Sequence, residues 1–261
     1  MAIYDIDGNV ISAGNAALPF VGKKVVCFGD SIWAYNVGNG KLPEIIQANM
    51  GGAWYACAVG GTRMTPTHEN DYAMVSATAL ADAIATGNWT NVNSALNGDT
   101  VTNSAVIKNA FSKVQALDFS TDVAMIVFAF GTNDFSSGQA WEDETDKNDV
   151  IGAMKYIEET IHVVYPGVKI VFTSTHRYTT SGGDGYNSEN SNGTVDDLFA
   201  AMQNEAEKLS CPFIDILHNL NISENTRSTI TTDGVHLREL GHTLYADVWC
   251  AQLLSKTQGM Y

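Results

Sequence analysis

Ser31 is the first residue of this 261-residue sequence whose type and position suggest chemistry. It follows the apolar run Val25–Phe28 and the turn residues Gly29 and Asp30. A short apolar run that ends at a glycine is typical of a buried parallel strand, and open α/β folds bind ligands at the carboxyl ends of such strands. A serine at that edge could act as a nucleophile, although Asp30 or Ser31 could instead cap the next helix.

Three later motifs have a similar placement, because each follows or lies near the end of a predicted element. In chain order they are Val59-Gly60-Gly61-Thr62, Gly131-Thr132-Asn133-Asp134 and Asp233-Gly234-Val235-His236. Each motif also has a purely structural explanation. The glycines could form a tight turn, Asn133 could form an Asx-turn, and His236 could lie in a turn that leads into a helix.

Between these motifs the sequence alternates apolar strands with helical patterns, which predicts a parallel sheet covered by helices on both faces. The predicted strands are Val25–Phe28, Trp54–Val59, Val123–Phe130, Lys169–Ser174 and Phe213–Leu217. The predicted helices are Leu42–Met50, Tyr72–Ala85, Asn103–Leu117, Val150–Val164, Thr194–Leu209 and Leu237–Leu254. Loops are expected over Gly87–Asp99, over Ser181–Gly193, and from Leu217 as far as Asp233.

No linker divides the sequence, so we expect one domain over residues 23–261, preceded by an N-terminal appendage over residues 1–22. In the appendage, Asp7-Gly8-Asn9 predicts a turn between two extended pieces. The same segment has a faint similarity to a calcium-binding loop. Because the remaining ligand positions are missing, we expect no metal there.

Charge and composition disfavour several classes of function. The 29 acidic and 14 basic side chains give a net charge of −15, which argues against nucleic acid and anionic membrane surfaces as partners. No apolar run has the length of a membrane span, and no phosphate-binding glycine motif occurs, so we expect no cofactor. The cysteines form no C-x-x-C pair and are expected to be small buried residues rather than zinc ligands: Cys27, Cys57, Cys211 and Cys250.

The first residues contain no basic segment followed by an apolar one, so we expect no signal peptide within this sequence. The localisation stays open, and it includes an extracellular site or a place in a larger surface or phage protein. The sequence does not indicate an oligomeric state.

In their order and spacing the four motifs resemble those of the SGNH hydrolases, the GDSL esterase/lipase superfamily, over residues 23–256. The resemblance implies an α/β fold, namely a flavodoxin-like three-layer α/β/α sandwich with a central parallel five-stranded sheet. Two positions depart from the family pattern. Ile32 and Trp33 follow Ser31 where leucine is commonest, and Ala56 stands where the second motif often begins with asparagine.

The resemblance also implies a role for residues of each motif. Ser31 would be the catalytic nucleophile, His236 the base that takes its proton, and Asp233 the carboxylate that orients the imidazole. The oxyanion hole would consist of the backbone N–H groups of Ser31 and Gly61 and the side-chain amide of Asn133.

Other polar residues of the motifs are expected to support the site. Asp30 and Asp134 are expected to order its loops through hydrogen bonds. His176 is the main rival of His236 as the base, because it ends a predicted strand at the same edge. The remaining histidines lie in predicted helices or lack an expected acidic partner nearby: His68, His162, His218 and His242.

The loops near the predicted site contain aromatic and polar side chains, which suit a sugar ring better than a long acyl chain. They are Trp33, Tyr35, Asn36, Arg63, Trp89, Trp141, Arg177, Tyr178 and Tyr186. The candidate substrate-binding residues are Trp33, Arg63, His176 and Arg177. Alternatively, these aromatic residues only pack in the interior or lie scattered on the surface.

The sequence therefore predicts a serine ester hydrolase that acts through an acyl-enzyme intermediate. The expected substrate is a glycan or small ester that loses an O-acyl group, with acetyl as the expected group. Two alternatives stay open: a non-catalytic glycan-binding module on the same fold, and a lipase or thioesterase of the same superfamily.

Overall fold

A parallel five-stranded sheet lies at the centre of the protein. The computed structural model describes residues 3–4, 10–11, 18–34, 42–98, 104–176, 189–220 and 222–257. In chain order the strands are β1 (Ile3–Tyr4), β2 (Val10–Ile11), β3 (Lys24–Gly29), β4 (Ala53–Ala58), β5 (Val123–Ala129), β6 (Lys169–Thr173), β7 (Glu189–Asn190), β8 (Gly193–Thr194) and β9 (Phe213–Ile214).

The strands of the central sheet lie in the order β4-β3-β5-β6-β9, and all of them are parallel. Counted along the chain within this sheet, the order is 2-1-3-4-5, which is that of flavodoxin-like folds. The order reverses between β3 and β5. Open α/β sheets bind ligands outside the carboxyl ends of the strands at such a switch point.

Helices cover both faces of the sheet and complete a three-layer α/β/α sandwich. They are α1 (Ser31–Ala34), α2 (Leu42–Met50), α3 (Ala77–Thr86), α4 (Thr90–Asn97), α5 (Ala105–Gln115), α6 (Thr132–Ser136), α7 (Val150–Val164), α8 (Val195–Lys208), α9 (Glu224–Ile230) and α10 (Glu239–Thr257). A 3₁₀-helix over Asn70–Val75 precedes α3. None of the described helices has both the length and the apolar character that crossing a membrane requires.

The core has two parts, one on each face of the sheet, because successive side chains of a buried strand point to opposite faces. On one face the rings of Phe28, Phe128 and Phe172 form a row across three strands, with centroids 5.7 and 5.9 Å apart. The helices α3, α4, α5, α7 and α8 cover this row. On the other face, Val127 and Val171 belong to a cluster with α1, α2 and α10.

The prediction that Gly87–Asp99 is a loop is wrong, because residues 90–97 form α4. Val92, Ala95 and Leu96 have helical spacing and are buried, but only eight residues form this helix and its other positions are polar. The stretch between Leu217 and Asp233 was also expected to be a loop. It contains the short helix α9.

The predicted helix Tyr72–Ala85 is divided at Ser76. The Ser76 hydroxyl accepts a hydrogen bond from the backbone N–H of Ala79 and caps α3, while the residues before it form the 3₁₀-helix. Within the expected loop Ser181–Gly193, residues 181–188 lie outside the described part of the chain. The end of that stretch pairs as β7 and β8.

The two extended pieces expected near the N-terminus pair as β1 and β2, and the turn residues 7–9 lie outside the described chain. Phe20 is buried against Trp54, with ring centroids 5.6 Å apart, and its N–H donates to the carbonyl oxygen of Met50 at 2.8 Å. The core of the domain therefore includes residues that precede β3.

Ser174 fixes the chain that leaves β6 to the chain that leaves β9. Its Oγ accepts hydrogen bonds from the backbone N–H groups of Ile216 at 2.8 Å and Leu217 at 3.0 Å, and all three residues are buried. The N–H of Ser174 in turn donates to the carbonyl oxygen of Ile214 at 3.0 Å. These bonds set the path of the residues that follow β6 at the carboxyl edge of the sheet.

We predict that Ser174→Ala lowers the free energy of unfolding by about 2–4 kcal/mol, because two buried N–H groups lose their acceptor. Urea unfolding followed by circular dichroism measures this quantity. Ser112→Ala, at an exposed hydroxyl of α5, is the matched control and should change stability by less than about 0.5 kcal/mol. An equally small change for Ser174→Ala would contradict the prediction.

Candidate active site

Ser31 lies where the chain leaves β3 and begins α1, at the carboxyl edge of the sheet. Gly29 permits the close approach of β5, because a Cβ at this position would lie 2.9 Å from the carbonyl oxygen of Ala129. Asp30 Oδ1 accepts the backbone N–H of Ile32 at 3.0 Å, which orders the first turn of α1. Ser31 is thus held beside the switch point between β3 and β5.

Ser31 and His236 are 205 positions apart in the sequence and meet at this edge. His236 Nε2 lies 3.1 Å from Ser31 Oγ, and His236 Nδ1 lies 2.7 Å from Asp233 Oδ2. Because the Nδ1–H donates to the carboxylate, Nε2 keeps a lone pair that can accept the serine proton. The three side chains therefore have the arrangement of a nucleophile, a base and an orienting carboxylate.

Asp233 holds both the ring and the backbone of His236. Its Oδ1 accepts the N–H of Val235 at 3.0 Å and the N–H of His236 at 2.7 Å. Partial burial raises the pKa of Asp233, but the hydrogen bonds from the His236 backbone, the His236 ring and the Val235 backbone outweigh it. The pKa therefore lies well below its ordinary value, and the carboxylate can stabilise positive charge on the imidazole.

The groups predicted to bind an oxyanion belong to segments that hydrogen bonds join. Gly61 has a φ of +84°, a conformation that favours glycine. Next to it, the Thr62 hydroxyl donates to the carbonyl oxygen of Val59 at 2.7 Å, and Asn133 Nδ2 donates to the carbonyl oxygen of Thr62 at 2.9 Å. An amide NH₂ has two hydrogens, so this bond orients Asn133 and leaves its second N–H for a ligand.

Asp134 fixes α6 to the loop that contains Gly61. The carboxyl group is buried, and it accepts the N–H of Met64 at 2.9 Å and both the N–H and the hydroxyl of Thr65, at 3.2 and 3.1 Å. Burial raises the pKa of Asp134, although these hydrogen bonds oppose the rise. Asp134 therefore orders the loop through hydrogen bonds, as expected from its motif.

Asp30 is the other buried carboxyl group of the site, directly before Ser31. Burial raises the pKa of Asp30 to about 7, while the N–H of Ile32 and the hydroxyl of Thr132 partly offset the effect. The negative charge of Asp134 adds to the rise.

The expectation that tryptophans line the site is wrong for Trp33, Trp89 and Trp141, all of which are buried. Trp33 packs edge-on against Tyr245 and Trp249, with ring centroids 6.4 and 6.0 Å away. It therefore supports α1 from inside the core and does not bind substrate. The expected rim residues Tyr35, Asn36, Arg177, Tyr178 and Tyr186 lie outside the described part of the chain.

His176 is neither a substrate-binding residue nor a rival base, because its side chain is fully buried. Its Nε2 lies 2.6 Å from the carbonyl oxygen of Val235, one residue before His236. Arg63 is half-buried, and its guanidinium lowers the pKa of Asp134. A role for Arg63 in substrate binding stays a prediction.

His218 has acidic partners that the sequence analysis did not expect. Its Nδ1 lies 2.8 Å from Asp215 Oδ2, and its Nε2 lies 3.0 Å from Asp196 Oδ1. The spacing from Asp215 to His218 is the same as that from Asp233 to His236. Both ring nitrogens of His218 face carboxylates, however, so neither is left for a nucleophile.

Tyr72 is a site residue that the sequence analysis placed only in a helix. Its Cε1 lies 3.0 Å from the position that a Cβ would take at Gly61, and its ring stacks on His68 with centroids 4.4 Å apart. Burial and the charge of Arg63 lower the pKa of His68. An aromatic pair therefore lies beside Gly61, and no periodicity or motif links these positions in the sequence.

Among the described residues, no group of three or more His, Cys, Asp or Glu side chains could hold a metal ion. The four cysteines are free and buried, and burial raises the pKa of each thiol.

A sequence comparison relates this site to a known family. The model of the GDSL-like lipase/acylhydrolase family matches residues 27–244, a range that includes all four motifs. No curated protein sequence matches the chain significantly.

Solved structures share the fold at low sequence identity. A protein from Lactobacillus plantarum superposes with a TM-score of 0.63 at 16% identity, over 92% of this chain and 99% of that chain. The inhibitor-bound aryl esterase of M. smegmatis gives 0.54 at 15% identity, over 89% and 99% of the two chains. A carbohydrate acetylesterase family member from Sinorhizobium meliloti gives 0.50 at 18% identity, over 90% and 99%. At these identities the likeness establishes the fold alone.

We predict that Asp30→Asn makes folding stability less dependent on pH. The pKa of Asp30 is raised to about 7 in the native state, so the native protein holds this proton more tightly than the unfolded chain does. The protonated carboxyl group therefore contributes fully to folding stability below the ordinary carboxyl pKa of about 4. That contribution is lost as the pH rises to about 7. Between pH 4.5 and pH 8, the melting temperature of the variant should therefore rise relative to wild type by at least about 2 °C.

Differential scanning calorimetry at the two pH values measures this shift. Asp118→Asn is the control, since hydrogen bonds from Ser120 lower the pKa of that exposed carboxyl group. The control should show no gain at the higher pH. A melting-temperature difference between Asp30→Asn and wild type that is the same at both pH values would contradict the prediction.

Proposed function

Because this chain belongs to the GDSL-like lipase/acylhydrolase family, we propose that it is a serine esterase that removes short acyl groups through an acyl-enzyme at Ser31. The observation that carries this proposal is the contact of Ser31 Oγ with His236 Nε2 at 3.1 Å, together with the contact of His236 Nδ1 with Asp233 at 2.7 Å. A binding module on the same fold would require neither contact.

In the first half of the reaction, Ser31 Oγ attacks the ester carbonyl carbon while His236 Nε2 takes the serine proton. The imidazolium that forms is stabilised by the Asp233 carboxylate. His236 then gives the proton to the leaving alcohol, and the acyl group stays on Ser31 as an ester. In the second half, His236 takes a proton from a water molecule, whose oxygen attacks this ester. The bond to Ser31 Oγ then breaks, Ser31 regains the proton from His236, and the carboxylic acid is released.

The tetrahedral intermediates carry negative charge on the former carbonyl oxygen. The backbone N–H groups of Ser31 and Gly61 and the free N–H of Asn133 are the donors proposed to bind this oxygen. The hydrogen bond from Asn133 to Thr62 supports this role, because it fixes the amide before the substrate arrives. A fixed donor needs no reorganisation when charge develops, and this is what makes such groups effective.

The acyl half of the substrate is proposed to be short, with acetyl as the preferred group. The carbonyl carbon must lie next to the oxyanion donors, so the acyl chain begins beside Gly61. Tyr72 Cε1 lies 3.0 Å from the position a Cβ would take at Gly61, and its stacking on His68 restricts its movement. A ring held there leaves less room for a long acyl chain than for a methyl group.

For the alcohol half we propose a sugar or another small polar alcohol. The buried positions of Trp33, Trp89 and Trp141 remove stacking on those rings as an argument for a sugar. Arg63 is the described polar candidate, since its Nε has no hydrogen-bond partner among the described residues. Turnover on a panel of acetylated sugars tests this half. Cleavage of 4-nitrophenyl acetate without cleavage of any sugar in the panel would contradict it.

We predict that Ser31→Ala lowers kcat/KM for 4-nitrophenyl acetate by at least about 1000-fold, because the nucleophile is lost. The far-ultraviolet circular dichroism spectrum should stay unchanged. Ser255→Ala, at an exposed hydroxyl of α10, is the control and should keep full activity. Wild-type activity in Ser31→Ala would mean that this chain uses another nucleophile or that the activity comes from a contaminant.

We predict that the kcat/KM for 4-nitrophenyl acetate exceeds that for 4-nitrophenyl octanoate by roughly 10-fold or more. In Tyr72→Ala this ratio should shrink, because the side chain beside Gly61 is removed. Since the ratio is taken within one variant, a general loss of activity does not affect it. A wild-type preference for octanoate would instead favour a lipase or thioesterase.

A further inference from the structure

His176 is a buried histidine that makes a short hydrogen bond to the loop containing the candidate base. Its Nε2 lies 2.6 Å from the carbonyl oxygen of Val235, and the side chain is fully buried. Val235 lies between Asp233 and His236, and its own N–H donates to Asp233 Oδ1. The His176 ring therefore holds the peptide group that directly precedes His236.

The chemistry of this contact fixes the proton on one ring nitrogen. A carbonyl oxygen only accepts hydrogen bonds, so His176 Nε2 must carry the hydrogen. His176 Nδ1 has no hydrogen-bond partner among the described residues. Burial, together with the nearby His236 and His242, lowers the pKa of His176 to about 4, although Val235 and Asp233 oppose the shift. His176 is therefore a neutral donor at neutral pH.

The backbone that carries His176 is anchored to the sheet. Ser174, two residues earlier, binds β9 and the chain that follows it through three hydrogen bonds. Tyr245 of α10 donates its hydroxyl to the carbonyl oxygen of Ser174 at 3.4 Å, and its ring packs edge-on against the His176 ring at 6.3 Å. The backbone next to His176 is therefore bonded to both β9 and α10.

The loop that His176 holds also contains hydrogen bonds of its own. Thr231 and Leu237 form a β-bridge, and the N–H of Thr232 donates to the carbonyl oxygen of His236 at 2.8 Å, so the loop is closed on itself. The bonds between Asp233 and His236 also lie within the loop. These internal bonds fix its shape, Val235 and Leu237 pack against the core, and His176 adds a hydrogen bond from the chain that follows β6.

We propose that His176 is a positioning residue, whose Nε2–H holds the Val235 carbonyl and thereby keeps His236 in line with Ser31. This inference rests on the proposed esterase function and extends it. His176 touches no reacting atom, so it acts through the loop. A positioning role of this kind should affect the chemical step far more than substrate binding, since proton transfer depends on distances within a fraction of an ångström.

Two substitutions distinguish the effect of losing the hydrogen bond to Val235 from the effect of losing the ring that packs against Tyr245. His176→Phe keeps a ring against Tyr245 but cannot donate. His176→Gln has an amide nitrogen the same number of bonds from Cα as Nε2, so it can still donate to Val235. His218→Phe is the matched control, because it removes a histidine whose two ring nitrogens both face carboxylates. Each variant is assayed below its melting temperature, and active sites are counted with a fluorophosphonate.

The expected result is a kcat for 4-nitrophenyl acetate that falls about 100-fold in His176→Phe, with a KM within about threefold of wild type. His176→Gln should recover kcat to within about 10-fold of wild type. His218→Phe should equal wild type. Equal kcat values for the Phe and Gln variants, or a loss that appears in KM alone, would overturn the inference.

A second readout does not depend on activity. In the ligand-free protein, the proton shared by His236 Nδ1 and Asp233 should give a far-downfield proton NMR signal. That signal should weaken or shift in His176→Phe and return in His176→Gln. A wild type without esterase activity would refute the proposed function, and this signal would still decide whether His176 positions the loop. An unchanged signal in His176→Phe would count against the positioning role.

Discussion

The site depends on one contact between two loops that lie far apart in the sequence, the hydrogen bond from Ser31 to His236. Neither residue lies inside a long helix or strand, so regular structure alone does not set the distance between them. Each loop is instead held by contacts with neighbouring segments. On one side the turn after β3 is tightened by Asp30 and by the close approach of β5. On the other side His176 connects the Val235 carbonyl to the end of β6.

These connections place several polar side chains in the interior. Asp30, Asp134 and His176 are all buried next to the carboxyl edge of the sheet. Burial of such groups is costly unless hydrogen bonds replace the lost water, and a satisfied network makes the surrounding structure more rigid. Burial also raises the pKa of both carboxyl groups and lowers that of the histidine. For the two carboxyl groups, burial therefore lowers stability at higher pH, while their hydrogen bonds fix the geometry around Ser31.

The sequence predicts the central sheet well, because its strands are short apolar runs that end in glycine or polar motifs. The four motifs also indicate which side chains meet, since parallel strands bring their carboxyl ends to one edge. The sequence predicts less where the answer depends on direction or on distant partners. The sequence does not show that Trp33 points into the core. Nor does it show that His176 binds the carbonyl group of a residue 59 positions away.

Local features account for other differences between the sequence predictions and the structure. The helix α4 contains only three buried apolar residues among polar ones, too few for a clear period. Asp196 reaches His218 from α8, a contact that no spacing in the sequence reveals. Asp215, by contrast, lies only three residues before His218 in the sequence, so the expectation that His218 lacks an acidic partner nearby is wrong. Tyr72 lies beside Gly61 because it belongs to the 3₁₀-helix. The residues of the motifs are therefore easier to predict from the sequence than the other residues that surround the site.

The most direct test of the central claim is a crystal structure of the protein after reaction with diethyl 4-nitrophenyl phosphate. The expected product has phosphorus bonded to Ser31 Oγ, with the phosphoryl oxygen at hydrogen-bond distance from the backbone N–H groups of Ser31 and Gly61 and from Asn133 Nδ2. His236 should still contact Asp233. An adduct on a different residue, or a phosphoryl oxygen that points away from these three donors, would contradict the claim that this edge of the sheet is a serine esterase site.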